Sequence, residues 1–418
     1  MDQHFLDLLR CPFCGTRLSL VDNAALKRRG SEIDTGVLGC ECCAFPVVEG
    51  IPVLIANDTG RAAIAALEEG DPESALLTLL GLTDVARASA FRRLLAPSAE
   101  STYRDALEVL SQDAEGTYFV YRFSDPTYVT AEALLRALGR QQSSTTGRRL
   151  DLCGGSGHLT RVLDTIDFGR GATASTVLAD VAFWKLWLAA RFTAPRCSPV
   201  CCDANHPLPF ARDAFQMVVL SDAFPYIWHK RLLADEMTRV SGPDGVVVMP
   251  HLHSALGENF SAGDTLTPHA YRSLFSQLHP RLFSDTRLLA DVVDRRILDL
   301  SGEILPEELG SEPALALIAS RDTDVFRRYE VSDVQDVTGE LRVNPLYQVV
   351  YRNGRSVLTL VFPSADYEAE FRACRQYLPN TVTVKGDLTT AVRAETLEAN
   401  GTELRRRRIL LDLPPHYY

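Results

Sequence analysis

Leu150-Asp151-Leu152-Cys153-Gly154-Gly155-Ser156-Gly157-His158 runs an apolar strand into a carboxylate and then into three glycines within four positions. Such a strand-to-helix turn lets the backbone pass close to a ligand, because a Cβ would obstruct both a positive φ and the ligand's approach. The spacing Gly154-Gly155-Ser156-Gly157 differs from the G-x-G-x-x-G dinucleotide fingerprint. No Lys-Ser/Thr pair follows the last glycine, so it is not a Walker loop either.

Working outward, residues 158–164 place Leu159, Val162 and Leu163 on one helical face. Thr176-Val177-Leu178-Ala179-Asp180 is a short apolar strand ending in a carboxylate. An acid at that point can accept both hydroxyls of a ribose, as in dinucleotide sites. A helix over 183–191 follows, and Val200-Cys201-Cys202-Asp203-Ala204 is a third strand that again ends in an acid. After the turn Leu208-Pro209-Phe210, Phe215-Gln216-Met217-Val218-Val219-Leu220 predicts a fourth strand with Ser221 and Asp222 at its carboxyl end. That end faces the ligand crevice of an open α/β sheet. A helix over 231–240, the turn Ser241-Gly242-Pro243-Asp244-Gly245 and the strand Val246-Val247-Val248-Met249 complete the run.

This succession resembles the class I S-adenosylmethionine (SAM)-dependent methyltransferases, whose first motif is D-x-x-x-G-x-G; Asp151, Gly155 and Gly157 fill its fixed positions. The resemblance implies a Rossmann-like α/β sheet and a set of cofactor contacts. Asp151 would support the glycine loop, and Cys153 and Gly154 would meet the methionyl end through main chain. Asp180, followed by Val181, would hold the ribose, Asp203 and the Ala204 amide the adenine edge, and Ser221 the crevice wall. Gln216 replaces the usual acid of the fourth strand, and Asp244 the first glycine of the turn before the fifth. Each carboxylate has an ordinary alternative, because an Asp at a strand end also caps the next helix.

Ten cysteines are unevenly spread, five of them within the first 43 residues, which in a large chain points to metal rather than disulfides. Cys11-Pro12-Phe13-Cys14-Gly15 is one knuckle, and Cys40-Glu41-Cys42-Cys43 follows after 25 intervening residues. Two such pairs supply four thiolates in tetrahedral reach, the arrangement of a closed structural zinc site. The favoured ligands are Cys11, Cys14, Cys40 and Cys43, with Cys42 an extra thiol able to replace a neighbour. A redox C-x-x-C is the competing possibility, but no βαβ pattern surrounds it. Together with Phe45-Pro46-Val47-Val48-Glu49-Gly50-Ile51-Pro52-Val53-Leu54, residues 1–56 resemble the zinc ribbon of the small methyltransferase-activator family. Members of that family hold RNA- and protein-modifying methyltransferases as partners. Here a single residue, Ala44, separates the last cysteine from Phe45, where the family has a longer gap.

Four regions are expected: a ribbon (1–58), a helical lid or packing layer (59–143), the SAM-binding core (144–322) and an α/β appendage (323–418). The aromatic run Tyr118-Phe119-Val120-Tyr121-Arg122-Phe123 suits either closure over a ligand or a buried cluster stapling helices to the core. The polar stretch 141–147 is expected to link the last helix to the first core strand. In the appendage, Asn353-Gly354 between two β-rich runs predicts a hairpin, followed by a helix over 366–377 and a strand at Val382-Thr383-Val384.

Hydrophobic residues make up 46% and charged residues 23%, ordinary for a globular protein. No apolar run nears the roughly 20 residues of a membrane span. Met1-Asp2-Gln3-His4 lacks the layout of a secretion signal, so a cytoplasmic location is expected. The net charge of −11 argues against wrapping nucleic acid. The one dense basic run, Arg405-Arg406-Arg407-Arg408, is expected to be a solvated face. Methyl transfer needs alignment and at most one base; candidates are His229, His251, His253 and His158, each of which has the plain alternative of bonding a loop. The expected function is methyl transfer from SAM to a small-molecule biosynthetic acceptor. A tRNA, rRNA or protein methyltransferase and a non-catalytic SAM- or partner-binding scaffold are the alternatives. Homodimerisation or a partner protein would use the ribbon or the appendage.

Overall fold

The apolar runs after residue 148 become the strands of one seven-stranded sheet, in a computed structural model of the 418-residue chain. The structure describes residues 1–96, 100–111, 114–141, 147–166, 175–258, 261, 263–332, 337–392 and 401–418. Most of the expected linker 141–147 and three residues of the loop after His253 lie outside these.

The two longest strands of the N-terminal five-stranded sheet, β1 (Glu32–Gly39) and β2 (Ala44–Val48), pair antiparallel. The sheet strands are β3 (Arg149–Leu152), β4 (Thr176–Asp180), β5 (Ser198–Cys201), β6 (Phe215–Val219), β7 (Ser241–His253), β8 (His279–Ser284) and β9 (Ala314–Ser320). Their order across the sheet is β8-β9-β7-β6-β3-β4-β5. Strands β3 to β7 run parallel, and β9 runs antiparallel to both its neighbours. This is a Rossmann-like, mostly parallel α/β sheet. Strand β3 pairs with β4 on one side and β6 on the other, so strand order reverses there and a crevice opens beyond the carboxyl ends.

Both faces of the sheet are covered, which is why the strands read as near-continuous apolar runs. Alternation along β4 sends Leu178 into one cluster with Leu159, Val162 and Leu186, and Val177 and Ala179 into another with Leu233 and Met237. The ribbon belongs to the second cluster through Leu9, Phe45 and Leu54. It also joins the sheet by main chain. Val53 bridges Cys201 in parallel, Leu54 N–H donates to the Cys201 carbonyl at 2.7 Å, and Arg10 N–H to the Pro209 carbonyl at 2.9 Å. The ribbon thus covers the edge strand β5 within the same chain, satisfying groups that an open edge would expose.

Among the described residues, six α-helices lie between the ribbon and β3: α1 (Asp58–Glu68), α2 (Pro72–Leu79), α3 (Val85–Leu94), α4 (Tyr103–Leu110), α5 (Ala114–Tyr121) and α6 (Pro126–Gln141). Asn57, Asp71, Asp84 and Thr102 cap the first four by accepting a backbone N–H. Pro126 does not break structure but opens α6, where its missing N–H has no cost. After β3 come α7 (His158–Thr165), α8 (Phe183–Leu188), continued by a wider turn over Ala189–Thr193, and α9 (Lys230–Val240). Among the described residues, no helix is long and apolar enough to cross a membrane.

In the appendage β10 (Tyr347–Arg352) and β11 (Arg355–Leu360) meet at Asn353 and Gly354, with φ of 52° and 74°, the two left-handed residues of a tight hairpin. Strand β12 (Thr381–Lys385) completes that sheet. The expected single helix is instead α10 (Ala365–Glu370) followed by a tighter turn over Arg372–Gln376, because Phe371 departs from helical geometry at ψ 27°. The appendage is tied to the helical segment before β3: Tyr377 Oη donates to the Ser124 carbonyl at 2.8 Å. The basic run is not wholly solvated. Arg408 turns inward, pairing with Glu132 at 3.0 Å and donating to the Phe123 carbonyl at 2.7 Å.

Tyr417 is fully buried, stacks on Tyr103 with centroids 4.6 Å apart, and shares its hydroxyl between His158 Nε2 and the Phe119 carbonyl, each at 2.8 Å. Tyr417→Ala should cost about 3–5 kcal/mol through the cavity it leaves. Tyr417→Phe should cost about 1 kcal/mol through the lost hydrogen bonds. Urea melts of the two variants check this, and an unchanged midpoint for Tyr417→Ala would refute it.

Candidate cofactor cleft and metal centre

Each of the four strands nearest the crevice delivers one carboxylate to it: Asp151 in β3, Asp180 at the end of β4, Asp203 after β5 and Asp222 after β6. Together with the glycine turn and helix α5 they line a cleft of about 540 Å³, ample for a nucleoside-sized ligand. Of the expected cofactor residues, Asp151, Cys153, Gly154, Gly155, Asp180, Val181, Asp203, Ala204 and Ser221 all line it.

Gly157 does not line it. A Cβ there would lie 2.8 Å from Ala189 Cβ and 3.0 Å from Thr193 Oγ1, so this glycine, at φ 81°, lets α7 approach the helix after β4. Gly154 is needed for a different contact, since its Cβ would fall 2.5 Å from Asp151 Cγ. Gly155, at φ 56°, faces Phe119 of α5, whose ring edge would sit 3.1 Å from an added Cβ.

The loop's amides are spent inside the fold. Gly154 N–H donates to the Ala179 carbonyl at 3.3 Å, Gly155 N–H to Asp180 Oδ2 at 2.9 Å and Gly157 N–H to the Gly154 carbonyl at 3.1 Å. These three amides therefore form no nest for a phosphate. Asp180 Oδ1 accepts from Ala182 N–H at 2.9 Å, which fixes the carboxylate at the mouth of the loop. Asp203 Oδ1 accepts from the Asn205 backbone and side chain at 2.9 and 3.0 Å, while Oδ2 lies 3.3 Å from His206 Nδ1.

Asp151 is the least satisfied. Its Oδ2 accepts from Thr160 Oγ1 at 2.7 Å, but its buried Oδ1 has no partner, and neither has the buried Ser221 Oγ. Burial, with the Asp180 charge adding to it, pushes the Asp151 carboxyl up to about 7. The cations of the cleft are already paired: Lys185 with Glu115, and Arg122 with both oxygens of Asp125 at 2.8 Å.

The histidines separate. His229 is exposed at the N-terminus of α9, where its Nδ1 contacts the Asn205 carbonyl at 2.9 Å; like His251 and His253 it is not among the residues lining the cleft. His158 is buried between Phe119, Phe123, Tyr103 and Tyr417, and burial, with Arg122, holds it well below its usual range, hence neutral. His251 and His253 come together with Asp222: His253 Nε2 lies 3.1 Å from Asp222 Oδ1, and His251 Nδ1 lies 2.8 Å from Asp285 Oδ2. Burial lowers His251, yet the Asp285 hydrogen bond and charge, with Asp222, outweigh it and bring it to about 9. Asp285 and Glu370 escaped sequence analysis. Asp285 stands 34 residues from its partner and Glu370 comes from the appendage; no local pattern links either to the cleft.

In the ribbon the sulfurs of Cys11, Cys14, Cys40 and Cys42 gather within 4.8 Å of one another, close enough to hold one metal ion. The pairs Cys11–Cys42, Cys14–Cys40 and Cys40–Cys42 are 3.7, 3.8 and 3.6 Å apart. Those lengths match the edge, about 3.8 Å, of a tetrahedron with zinc–sulfur bonds of about 2.3 Å. Cys42 thus takes the place expected of Cys43. Cys40 N–H donates to the Cys43 carbonyl at 3.0 Å and closes the turn, so Cys42 at its tip swings toward Cys11; Cys43 instead donates its N–H to Cys40 Sγ at 3.2 Å.

No family model matches the chain, and no curated protein matches it in sequence. Among solved structures it is similar to a TehB-like SAM-dependent methyltransferase from Corynebacterium glutamicum, at 13% identity over 57% of this chain and 97% of that one, TM-score 0.33. It is also similar to a SAM-dependent methyltransferase from Aquifex aeolicus, at 11% identity over 47% and 97% of the two chains, TM-score 0.29. A third is a complex of the Haloferax volcanii Trm112 methyltransferase activator with a candidate methyltransferase, at 17% identity over 46% and 89%, TM-score 0.33.

Cys42→Ser should abolish tight zinc retention, whereas Cys43→Ser should keep about one zinc per chain. Metal analysis after dialysis against a chelator decides it, and the reverse outcome would restore Cys43 as the ligand.

Proposed function

We propose that the protein is a methyltransferase: the cleft binds SAM, and the methyl group passes to a small-molecule acceptor. The observation that carries this is the unpartnered, buried Asp151 Oδ1 in a cleft ringed by carboxylates and offering no phosphate nest. Such a lining suits a ligand that brings positive charge and ribose hydroxyls, and disfavours a dinucleotide with its pyrophosphate. SAM supplies an ammonium group and a sulfonium carrying an electrophilic methyl.

On this basis Asp151 Oδ1 receives the ammonium, Asp180 accepts the ribose hydroxyls with its remaining lone pairs, and Asp203 and the Ala204 amide face the adenine edge. Phe119 covers the glycine turn and excludes water. The acceptor enters beside Asp222, Tyr226, Ile227 and Glu370, which line the other end of the cleft. The four-sulfur ribbon site would hold a structural zinc with no open position.

Asp180→Ala should weaken SAM binding tenfold or more, the equivalent of about 1.5–3 kcal/mol for hydrogen bonds to a charged group. Calorimetric titration measures it, and unchanged affinity would remove Asp180 from the ribose site. Because the acid at about 7 must be ionised to receive a cation, SAM affinity should fall as pH drops from 7 to 5.5. Asp151→Asn should lose that dependence along with most of the affinity. The reaction itself is tested by label transfer from SAM into a cell extract split into RNA, protein and metabolite fractions. Label in the metabolite fraction is expected; label confined to RNA or protein would overturn the acceptor class.

A further inference from the structure

We infer that Asp222, His251 and His253 form a second metal site, a two-histidine, one-carboxylate centre for a divalent transition ion at the acceptor end of the cleft. One ligand atom from each of the three lies within 4.8 Å of the others. The two imidazoles are 4.8 Å apart between centroids and 75° from coplanar, so they are not stacked face to face. Two imidazoles and one carboxylate on one side of an ion, with the remaining positions open, suit manganese, iron, cobalt or zinc better than magnesium or calcium.

The supporting groups fit the same assignment. Asp285 holds His251 through Nδ1 and leaves Nε2 directed elsewhere, the carboxylate–histidine pairing that orients metal-bound imidazoles. His253 Nδ1 is buried without a partner in a residue only 8% exposed. The backbone is shaped to bring the ligands together: Asp222 and His251 sit at φ 63° and 57°, and the pairing of β7 with β9 shifts between Met249 and Leu252. This centre is separate from the ribbon sulfurs, and its ligands come from the ends of the two sheet strands β6 and β7.

Its role rests on the methyl-transfer function proposed above; the ion site does not. A hydroxyl of the acceptor binds the ion and gives up its proton to solvent water. The resulting oxygen anion attacks the methyl carbon, an O–C bond forms, and the S–C bond breaks with its electron pair returning to sulfur. The products are the methyl ether and S-adenosylhomocysteine. The acceptor class is accordingly an alcohol or phenol with a second oxygen placed to chelate the ion.

The test is cobalt(II) titration of the full-length, zinc-loaded protein, followed by its visible spectrum. The wild type should take up one cobalt beyond the ribbon's metal, with weak d–d bands and no intense sulfur-to-metal absorption. His251→Ala and His253→Ala should each lose that cobalt while keeping the ribbon zinc and the circular dichroism of the wild type. Asp285→Asn, which touches no ion, should weaken cobalt binding 10- to 100-fold. A wild type that binds no cobalt beyond the ribbon, or histidine variants that bind it unchanged, would overturn the site. Calorimetry with SAM on the same samples separates the two proposals: cobalt uptake without SAM binding would sink methyl transfer and leave the ion site standing.

Discussion

Four neighbouring strands each end in an aspartate, and the mutual repulsion of these acids is the constraint around which the cleft is built. Two like charges about 10 Å apart repel by about 1–2 kcal/mol at an effective dielectric of about 20. The fold answers with local donors: Thr160 for Asp151, the Gly155 and Ala182 amides for Asp180, Asn205 for Asp203 and His253 for Asp222. One oxygen of Asp151 is left over, and both basic side chains near the cleft are already committed to Glu115 and Asp125. The remaining negative charge is a demand for cations from outside the chain. The proposed sulfonium cofactor and the proposed metal ion would each meet that demand, by different chemistry.

The helical segment before β3 is held by an aromatic cluster rather than by charge. Tyr103, Phe119, Phe123, His158 and Tyr417 form a continuous set of ring contacts linking α4, α5, the glycine turn and the end of the chain. His158 behaves there as an aromatic with a hydrogen-bonding edge, which is why its neutral form is favoured. The segment next to it, Arg122 to Ser124, is gripped by the appendage through Tyr377, and α10 ends in Glu370 at the cleft. Regions distant in sequence therefore share one wall.

Much of the core was legible in the sequence because it depends on local pattern. Thr176–Asp180 begins and ends where its apolar run does, the Asn353-Gly354 turn follows from two residues that tolerate positive φ, and the acids at strand ends fall in one crevice. What escaped depended on geometry that spacing does not encode. Cys42 displaced Cys43 because a backbone hydrogen bond closes the turn around it. His229 went to a loop because Asn205 holds it, and Arg408 turned inward toward Glu132, 276 residues away. Pairs of that separation leave no trace in a single sequence.

The ribbon's last residues meet β5 through a parallel bridge at Val53 and Cys201, and β5 leads directly to Cys202 and Asp203. Ribbon and sheet are segments of one polypeptide, so their union is unimolecular and its strength is independent of how much protein is present. Diluting the protein cannot strip the brace from the wall that carries Asp203, as it would strip a subunit supplied separately.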